Sequence, residues 1–161
     1  MNDPVAEALP FIDEYDIVIE APASEAYGAA ARCIQGSFEG RGARAFSRFL
    51  DCAHRGTDYS LPPRVGQQAN GFFVARADEP RALVLEGRHR FASYRLSFLV
   101  DAIDDRRSRL RARTDARFPG FQGAVYRALV IGSGGHRVIV RRMLSEMAAS
   151  AARHSRPPTN A

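Results

Sequence analysis

The stretch that decides the fold is ALVIGSGGHRVIVRRML, residues 128–144. It places an apolar run before a glycine cluster at 132–135 and a second apolar run after it. That order is typical of a strand, a phosphate-binding turn and a helix. The same letters also fit one long helix in which the glycines are the least stable part. The two interpretations predict different fold classes.

The residues that follow the glycine cluster favour the single helix. A dinucleotide-binding fold requires a second parallel strand with an acidic residue that reaches the ribose, and residues 136–161 contain no strand pattern. Apolar residues instead recur every three or four positions across the cluster, so the helical stripe keeps its phase. We therefore predict one continuous helix with an inward stripe of Phe121, Val125, Leu129, Gly132, His136, Ile139, Met143 and Met147.

Two hairpins precede this helix. Residues 71–90 alternate in polarity and turn at 78–80, and residues 92–104 and 107–118 form a second pair that turns near 104–106. Strict alternation is typical of an antiparallel sheet with one face in water. The dry face of that sheet needs a cover, and the helix after Pro119 is the long amphipathic element that can supply it.

Shorter elements are predicted nearer the N-terminus. A strand at 16–22 stops at Pro22, and a helix at 24–34 follows it. A second short helix is expected at 45–53 and a long loop at 54–71. The buried face of the first helix comprises Ala26, Ala30, Cys33 and Ile34, and that of the second comprises Phe46, Phe49 and Leu50.

Composition indicates one soluble domain. The chain has 161 residues, 45% of them hydrophobic and 25% charged, and it has no apolar run near the ~20 residues that a membrane span needs. We expect a core of approximately 14–150, flexible segments at 1–13 and 151–161, and a cytoplasmic location, since the start lacks the pattern of a secretory signal. Cys33 and Cys52 are then expected to be reduced.

Every one of the 23 cationic residues is arginine, and the net charge is +5. The absence of lysine excludes Schiff-base chemistry. Arginines occupy one face of the predicted sheet, but the aromatic residues of the same strands have the opposite parity, which disfavours base stacking. We therefore predict a solvated face rather than a nucleic-acid site. Its arginines are Arg95, Arg109, Arg111, Arg113 and Arg117, with Arg88 and Arg90 as further candidates, and its available carboxylates are Glu86, Asp101 and Asp115.

The order of the elements resembles the helix-grip fold of START-like lipid-binding domains, polyketide cyclases and aromatases, and plant pollen-allergen-like proteins. The stretches that carry the resemblance are ALVLEGRHRFASYRLSFLVDAID (82–104) and RARTDARFPGFQGAVYRALVIGSGGH (111–136). The resemblance implies an α+β fold: a curved antiparallel sheet wrapped around a long C-terminal helix, with two short helices after the first strand. It also implies a hydrophobic ligand between helix and sheet. No catalytic motif of these families can be matched residue by residue to this sequence.

Strand parity and helical phase predict the lining of such a cavity. His89 shares a face with Leu83 and Leu85, and His136 falls on the helix stripe. An imidazole with a pKa near 6.5 can serve as general acid or base, so His89, His136 and Tyr94 are the candidate catalytic residues. Core histidines bonded to backbone carbonyls are the alternative. The predicted ligand-binding residues are His89, Tyr94, Leu96, Phe98, Thr114, Val125, Leu129, Gly132 and His136.

The expected partner is therefore a small hydrophobic molecule such as a lipid, a polyketide or an aromatic metabolite. The protein would act either as a carrier or sensor, or as a cyclase or dehydratase. The alternative is an interaction module with a filled core that uses its arginine face. No cofactor is expected, and no metal, because the four histidines lack zinc-ligand spacing. The sequence leaves a homodimer open.

Overall fold

The computed structural model describes residues 8–38, 52–53, 58–69 and 71–155. Within these ranges the chain forms an antiparallel sheet of six strands and a set of helices that pack on one face of it. The strands are β1 (Phe11–Ile19), β2 (Gln68–Ala69), β3 (Phe72–Asp78), β4 (Ala82–His89), β5 (Ala92–Ala102) and β6 (Ser108–Arg117). The helices are α1 (Ala23–Phe38), α2 (Gly120–Arg127), a π-helical turn (Ala128–Gly132) and α3 (Gly135–His154).

The sheet is curved and has the order β1-β6-β5-β4-β3-β2. Register shifts interrupt the β1–β6 pairing between Phe11 and Asp13 and the β3–β4 pairing between Val74 and Arg76. Such irregularities bend strands and increase their twist. The bends leave a concave inner face, which receives the helices.

The core lies between this inner face and helices α1 and α3. Alternate strand residues such as Leu85, Phe98 and Leu110 are buried on the sheet side. Ala30 of α1 and Met147 of α3 are fully buried opposite them. Small residues on α1 allow close approach of α3, and each large side chain buried there contributes about 1.5–3 kcal/mol. The α+β class and the covered dry face predicted from the sequence are confirmed.

The C-terminal segment departs from the predicted continuous helix. A π-helical turn follows α2, and Gly134 then adopts a left-handed conformation with φ 77°. The π turn changes the number of residues per turn, and a left-handed residue ends a helix. The predicted stripe therefore loses its phase, and the inward residues of α3 are Val140, Leu144, Met147 and Ala151.

The apolar residues upstream of the break are exposed as a result. Phe121 is 84% and Leu129 68% exposed, and Val125 is also exposed. Ile139, beyond the break, is exposed too. Of the predicted stripe only Met147 is fully buried, so its phase was wrong for the first half of the segment.

The other elements agree with their predictions apart from their bounds. Both hairpin turns lie where expected, at 79–81 and 103–107. Strand β1 begins at Phe11, within the segment expected to be flexible, and α3 continues through His154. The expected helix at 45–53, with Phe46, Phe49 and Leu50, lies outside the described residues except for its last two positions.

Candidate functional site

A cluster of aromatic rings surrounds His89 at the end of β4, on the inner face of the sheet. His89 is only 8% exposed, as its parity predicted. Its ring centroid lies 4.9 Å from that of Tyr126, 5.3 Å from that of Tyr94 and 6.1 Å from that of Phe91. Three elements therefore meet at this imidazole: β5, the β4–β5 turn and α2.

One hydrogen bond defines the state of this imidazole. The backbone N–H of Phe91 donates to Nδ1 of His89 at 3.1 Å, so Nδ1 carries no proton. Burial lowers the pKa of His89 below its usual 6.5, because desolvation disfavours the charged form. At neutral pH the ring is therefore neutral and carries its single proton on Nε2. His89 can donate one hydrogen bond to a ligand.

Tyr94 lies beside His89 and is fixed by two contacts. Its hydroxyl donates to the carbonyl oxygen of Gly71 at 2.7 Å, and its ring packs edge-on against Phe72 with centroids 4.8 Å apart. Burial raises the pKa of Tyr94, with a smaller contribution from the nearby Cys52 thiol. The phenol therefore remains protonated, and it is a structural donor rather than a proton acceptor.

A cleft of about 650 Å³ opens where the β4–β5 turn meets the start of α2. Ligand sites typically have volumes of roughly 300–1,000 Å³. The Cys52–Ala53 segment forms one wall and is held in place by the Ala53 N–H, which donates to the Arg88 carbonyl at 2.8 Å. The lining residues are Cys52, Ala53, Arg88, His89, Arg90, Ala92, Ser93 and Pro119.

A second polar group occupies the β1–β6 side of the inner face. Nε2 of His136, in the first turn of α3, lies 3.0 Å from Oγ1 of Thr114 and 3.4 Å from Oδ1 of Asp13. The contact with Asp13 lacks hydrogen-bond geometry, so this buried oxygen has no hydrogen-bond partner among the described residues. A carboxylate, an imidazole and a hydroxyl are thus brought together in a largely apolar layer.

Asp13 was not predicted from the sequence, although the signal was present. Asp13 lies on the same face of β1 as the half-buried Tyr15 and Ile17 and the buried Ile19. The predicted strand began at residue 16, so the inward position of Asp13 was not recognised. In the structure Asp13 pairs directly with Thr114 across the β1–β6 ladder.

The remaining predicted ligand-binding residues divide into two groups. Phe98 is buried in the core, and Leu96 is half-buried beside it, in register with Thr114. Val125, Leu129 and Gly132 are exposed and do not line the cleft. The assignment of these five residues to a ligand stays a prediction.

The outer face of the sheet carries paired arginines, as expected. Arg111 contacts Asp101 at 2.9 Å, and Arg95 contacts Glu86 at 2.7 Å. Further partners come from β1, where Glu14 lies 3.5 Å from Arg111. Mutual neutralisation of this kind is typical of a solvated face.

Two classes of feature are absent from the part of the chain that the structure describes. No group of three or more potential ligands (His, Cys, Asp or Glu) is placed to hold a metal ion. None of the described helices is both long enough and apolar enough to traverse a bilayer.

Comparison with solved structures identifies the architecture. The Zhui aromatase/cyclase from Streptomyces sp. R1128 superposes with a TM-score of 0.56 at 12% identity, over 96% of this chain and 100% of that chain. The chain has the helix-grip fold. A conserved protein from Geobacillus kaustophilus gives 0.51 at 15% identity, over 89% and 96% of the two chains.

A plant enzyme has the same architecture. Norcoclaurine synthase from Thalictrum flavum, in complex with dopamine and hydroxybenzaldehyde, gives a TM-score of 0.52 at 8% identity, over 98% of this chain and 96% of that chain. At these identities the likeness concerns the fold. No family model and no curated protein matches the sequence.

Proposed function

We propose that the protein binds a small, predominantly apolar molecule with an aromatic or conjugated ring at the His89 cleft. The observation that supports this most directly is a neutral, buried imidazole, surrounded by aromatic rings, that lines a cleft of about 650 Å³. The described lining combines apolar surface from Ala53, Ala92 and Pro119 with a larger share of polar surface, to which His89 and Ser93 contribute, and small-molecule sites combine apolar walls with placed polar groups.

The chemistry of the cluster is that of a binding site for rings with a polar substituent. Offset or edge-on contacts contribute about 0.5–1.5 kcal/mol per pair beyond area burial, and those that Tyr126 and Tyr94 make with His89 hold its ring at the wall of the cleft. The Nε2–H of His89 supplies one hydrogen bond, which orients a carbonyl or hydroxyl oxygen. Since Nδ1 is engaged by the Phe91 N–H, His89 acts as a donor and not as a general base.

The Asp13–Thr114–His136 group supports a second candidate, acid/base catalysis of a cyclase or dehydratase type. Nε2 of His136 faces both Thr114 and Asp13. A proton held there leaves Nδ1 as the basic nitrogen of the ring. Two structural neighbours are enzymes by name, an aromatase/cyclase and norcoclaurine synthase, and their fold is compatible with such chemistry here.

Fluorescence titration with the neutral apolar probe N-phenyl-1-naphthylamine tests the binding proposal. Ala53 is an exposed residue of the cleft wall, so we expect the indole of Ala53→Trp to occupy the cleft and weaken binding at least about tenfold. Ala102→Trp is the matched control, because Ala102 is exposed at the far end of β5.

Two results would contradict the proposal: no binding to the natural sequence, or equal weakening by both tryptophans. Native mass spectrometry of the purified protein identifies any co-purified molecule. Turnover of that molecule by His136→Ala and His89→Phe then separates the two candidates, since a carrier converts nothing and a cyclase loses its activity in His136→Ala.

A further inference from the structure

We infer that the ligand of the His89 cleft is an aromatic or conjugated acid, whose carboxylate pairs with Arg88 and Arg90. This inference rests on the proposed function, because it specifies the chemical class of the molecule bound at that site. Three properties of the cleft support it: the charge of its wall, the pairing of the other arginines and the hydrogen-bonding character of its lining.

The described part of the cleft wall carries the positive charge of two arginines. Arg88 and Arg90 both line the cleft, and both are exposed. The other lining residues that the structure describes are apolar or neutral, and no carboxylate is among them. A cleft with charge of one sign raises the local concentration of ligands of the opposite sign.

The pairing of other arginines shows that these two differ from the rest of the sheet. Arg95, on the strand next to Arg88, is bonded to Glu86, and Arg113 is bonded to the buried Asp115 at 2.8 Å. Within the described part of the chain, no carboxylate lies within 4.0 Å of the guanidinium of Arg88 or Arg90. As far as the described residues show, both charges are therefore available to a ligand at the cleft.

One of these guanidinium groups is positioned against the aromatic cluster. The Cζ atom of Arg90 lies 5.1 Å from the ring centroid of Phe91, and Phe91 stacks on Tyr126 with centroids 5.7 Å apart. Phe91 and Tyr126 are not among the described residues that line the cleft, so the ring of Phe91 orients the Arg90 guanidinium from outside it. The charge of Arg90 then stands at the cleft for the anionic end of a ligand.

The neutral polar groups of the lining are compatible with the same ligand. The Nε2–H of His89 is a donor, and its Nδ1 acceptor is already used. The guanidinium groups are donors only, and the hydroxyl of Ser93 can donate as well. A carboxylate has acceptor oxygens alone, so it complements this set, whereas an ammonium group would not.

Calorimetric titration with a matched pair of probes tests the inference. 2-Naphthoate and 2-naphthamide share one ring system and differ in the charge of the substituent. We expect the naphthoate to bind at least about tenfold more tightly than the naphthamide, because hydrogen bonds to charged groups are stronger than those between neutral groups. The double variant Arg88→Gln/Arg90→Gln should lose that preference while it binds the naphthamide within about twofold of the natural sequence.

A control variant separates local pairing from net charge. Arg109→Gln/Arg142→Gln also removes two positive charges. These arginines pair with Asp16 and Glu146 and are not among the described lining residues of the cleft. This variant should retain the preference for naphthoate. Loss of the preference in both double variants would show that the net charge of the protein causes it. That result would overturn the pairing of the carboxylate with Arg88 and Arg90.

The outcomes distinguish the inference from the proposed function. Equal binding of the two probes to the natural sequence would overturn the inference that the ligand is an anion. The proposed function would then stand with a neutral hydrophobic ligand. Failure of both probes to bind overturns the proposed site together with the inference. Raising the salt concentration should weaken binding of the naphthoate and leave that of the naphthamide unchanged.

Discussion

Replacement of Gly87 with alanine should destabilise the protein through the Tyr94 contact. Gly87 and Tyr94 are directly opposite in the β4–β5 ladder, and the tyrosine ring covers the space where a side chain would stand. A Cβ at position 87 would lie 2.5 Å from Cε2 and 2.7 Å from Cζ of Tyr94, and it would overlap the carbonyl oxygen of Gly71. Ordinary contacts between carbon atoms require about 3.5–4.0 Å.

The cost follows from what must move. Displacement of the Tyr94 ring breaks its hydrogen bond to Gly71, which leaves a polar group without its partner at a cost of about 1–3 kcal/mol. The ring also loses its contacts with Phe72 and His89, each of about 0.5–1.5 kcal/mol. Alanine also lowers the conformational entropy of the unfolded chain relative to glycine, which offsets about 0.4–1 kcal/mol of this loss. We expect a net loss of about 2–4 kcal/mol in the free energy of unfolding.

Urea denaturation followed by circular dichroism measures this quantity, and Gly36→Ala is the control. Gly36 lies in α1, where an added methyl group would meet no heavy atom within 4 Å, so alanine there should stabilise the helix by about 0.5–1 kcal/mol. A loss below about 1 kcal/mol in Gly87→Ala would refute the argument that this glycine is required by the close approach of Tyr94.

Three further predictions concern other groups of the site. His89→Asn keeps an acceptor for the Phe91 N–H but does not titrate. Because the folded pKa of His89 lies below 6.5, the unfolded chain binds the proton more readily, and the natural protein should lose stability as pH falls below 6.5. Equal slopes in both proteins between pH 8 and 5 would contradict this. Asp13→Asn replaces a carboxylate whose buried Oδ1 has no hydrogen-bond partner among the described residues by a neutral amide, so the free energy of unfolding at pH 8 should stay constant or rise by about 1 kcal/mol; a clear loss would show that the carboxylate is stabilising. Gly134→Ala should cost about 1–2 kcal/mol because φ is 77°, whereas Gly132→Ala, which meets no neighbour, should cost nothing, and equal effects in a thermal melt would argue against the left-handed requirement.

The sheet and its buried face were predictable because alternation in sequence reports directly on the two faces of a strand. A sheet with one wet face admits a single parity for its apolar residues. That constraint placed His89 and Thr114 inward without knowledge of their partners. It also placed the arginines of β6 outward, beside the carboxylates that neutralise them.

The helix phase was not predictable from periodicity, because a single irregular turn changes it. The pattern across 121–147 fits an unbroken helix, but the π turn and the left-handed Gly134 reset the inward face to Val140 and its successors. The cluster of glycines indicated that the helix is weak at this point. It did not indicate in which direction the phase would shift.

The walls of the cleft depend on contacts between residues far apart in sequence. Ala53 is held against Arg88, and Tyr94 is bonded to Gly71. Cys52 and Ala53 were predicted only as the end of a short helix at 45–53, and that pattern did not assign them to a site. Strand parity therefore predicted that His89 lies on the inner face of the sheet but not that the Cys52–Ala53 segment lies beside it.

The break in the C-terminal segment gives the glycine cluster a physical role. Tyr126 contacts His89, and His136 contacts Thr114. In an unbroken α-helix two residues ten positions apart would be separated by about 15 Å along the axis and turned by roughly 80° around it. One straight helix could not direct both the Tyr126 and the His136 side chain toward the same face of the sheet.

The π turn and Gly134 remove this constraint, since they allow α2 and α3 to take different directions. Helix α2 then follows the β4–β5 end of the sheet, where the cleft opens, and α3 packs against α1 and β1. Each glycine within a helical segment costs about 0.8–1.0 kcal/mol relative to alanine. The break allows Tyr126 to lie beside His89 while His136 lies beside Asp13 and Thr114 on the same concave surface.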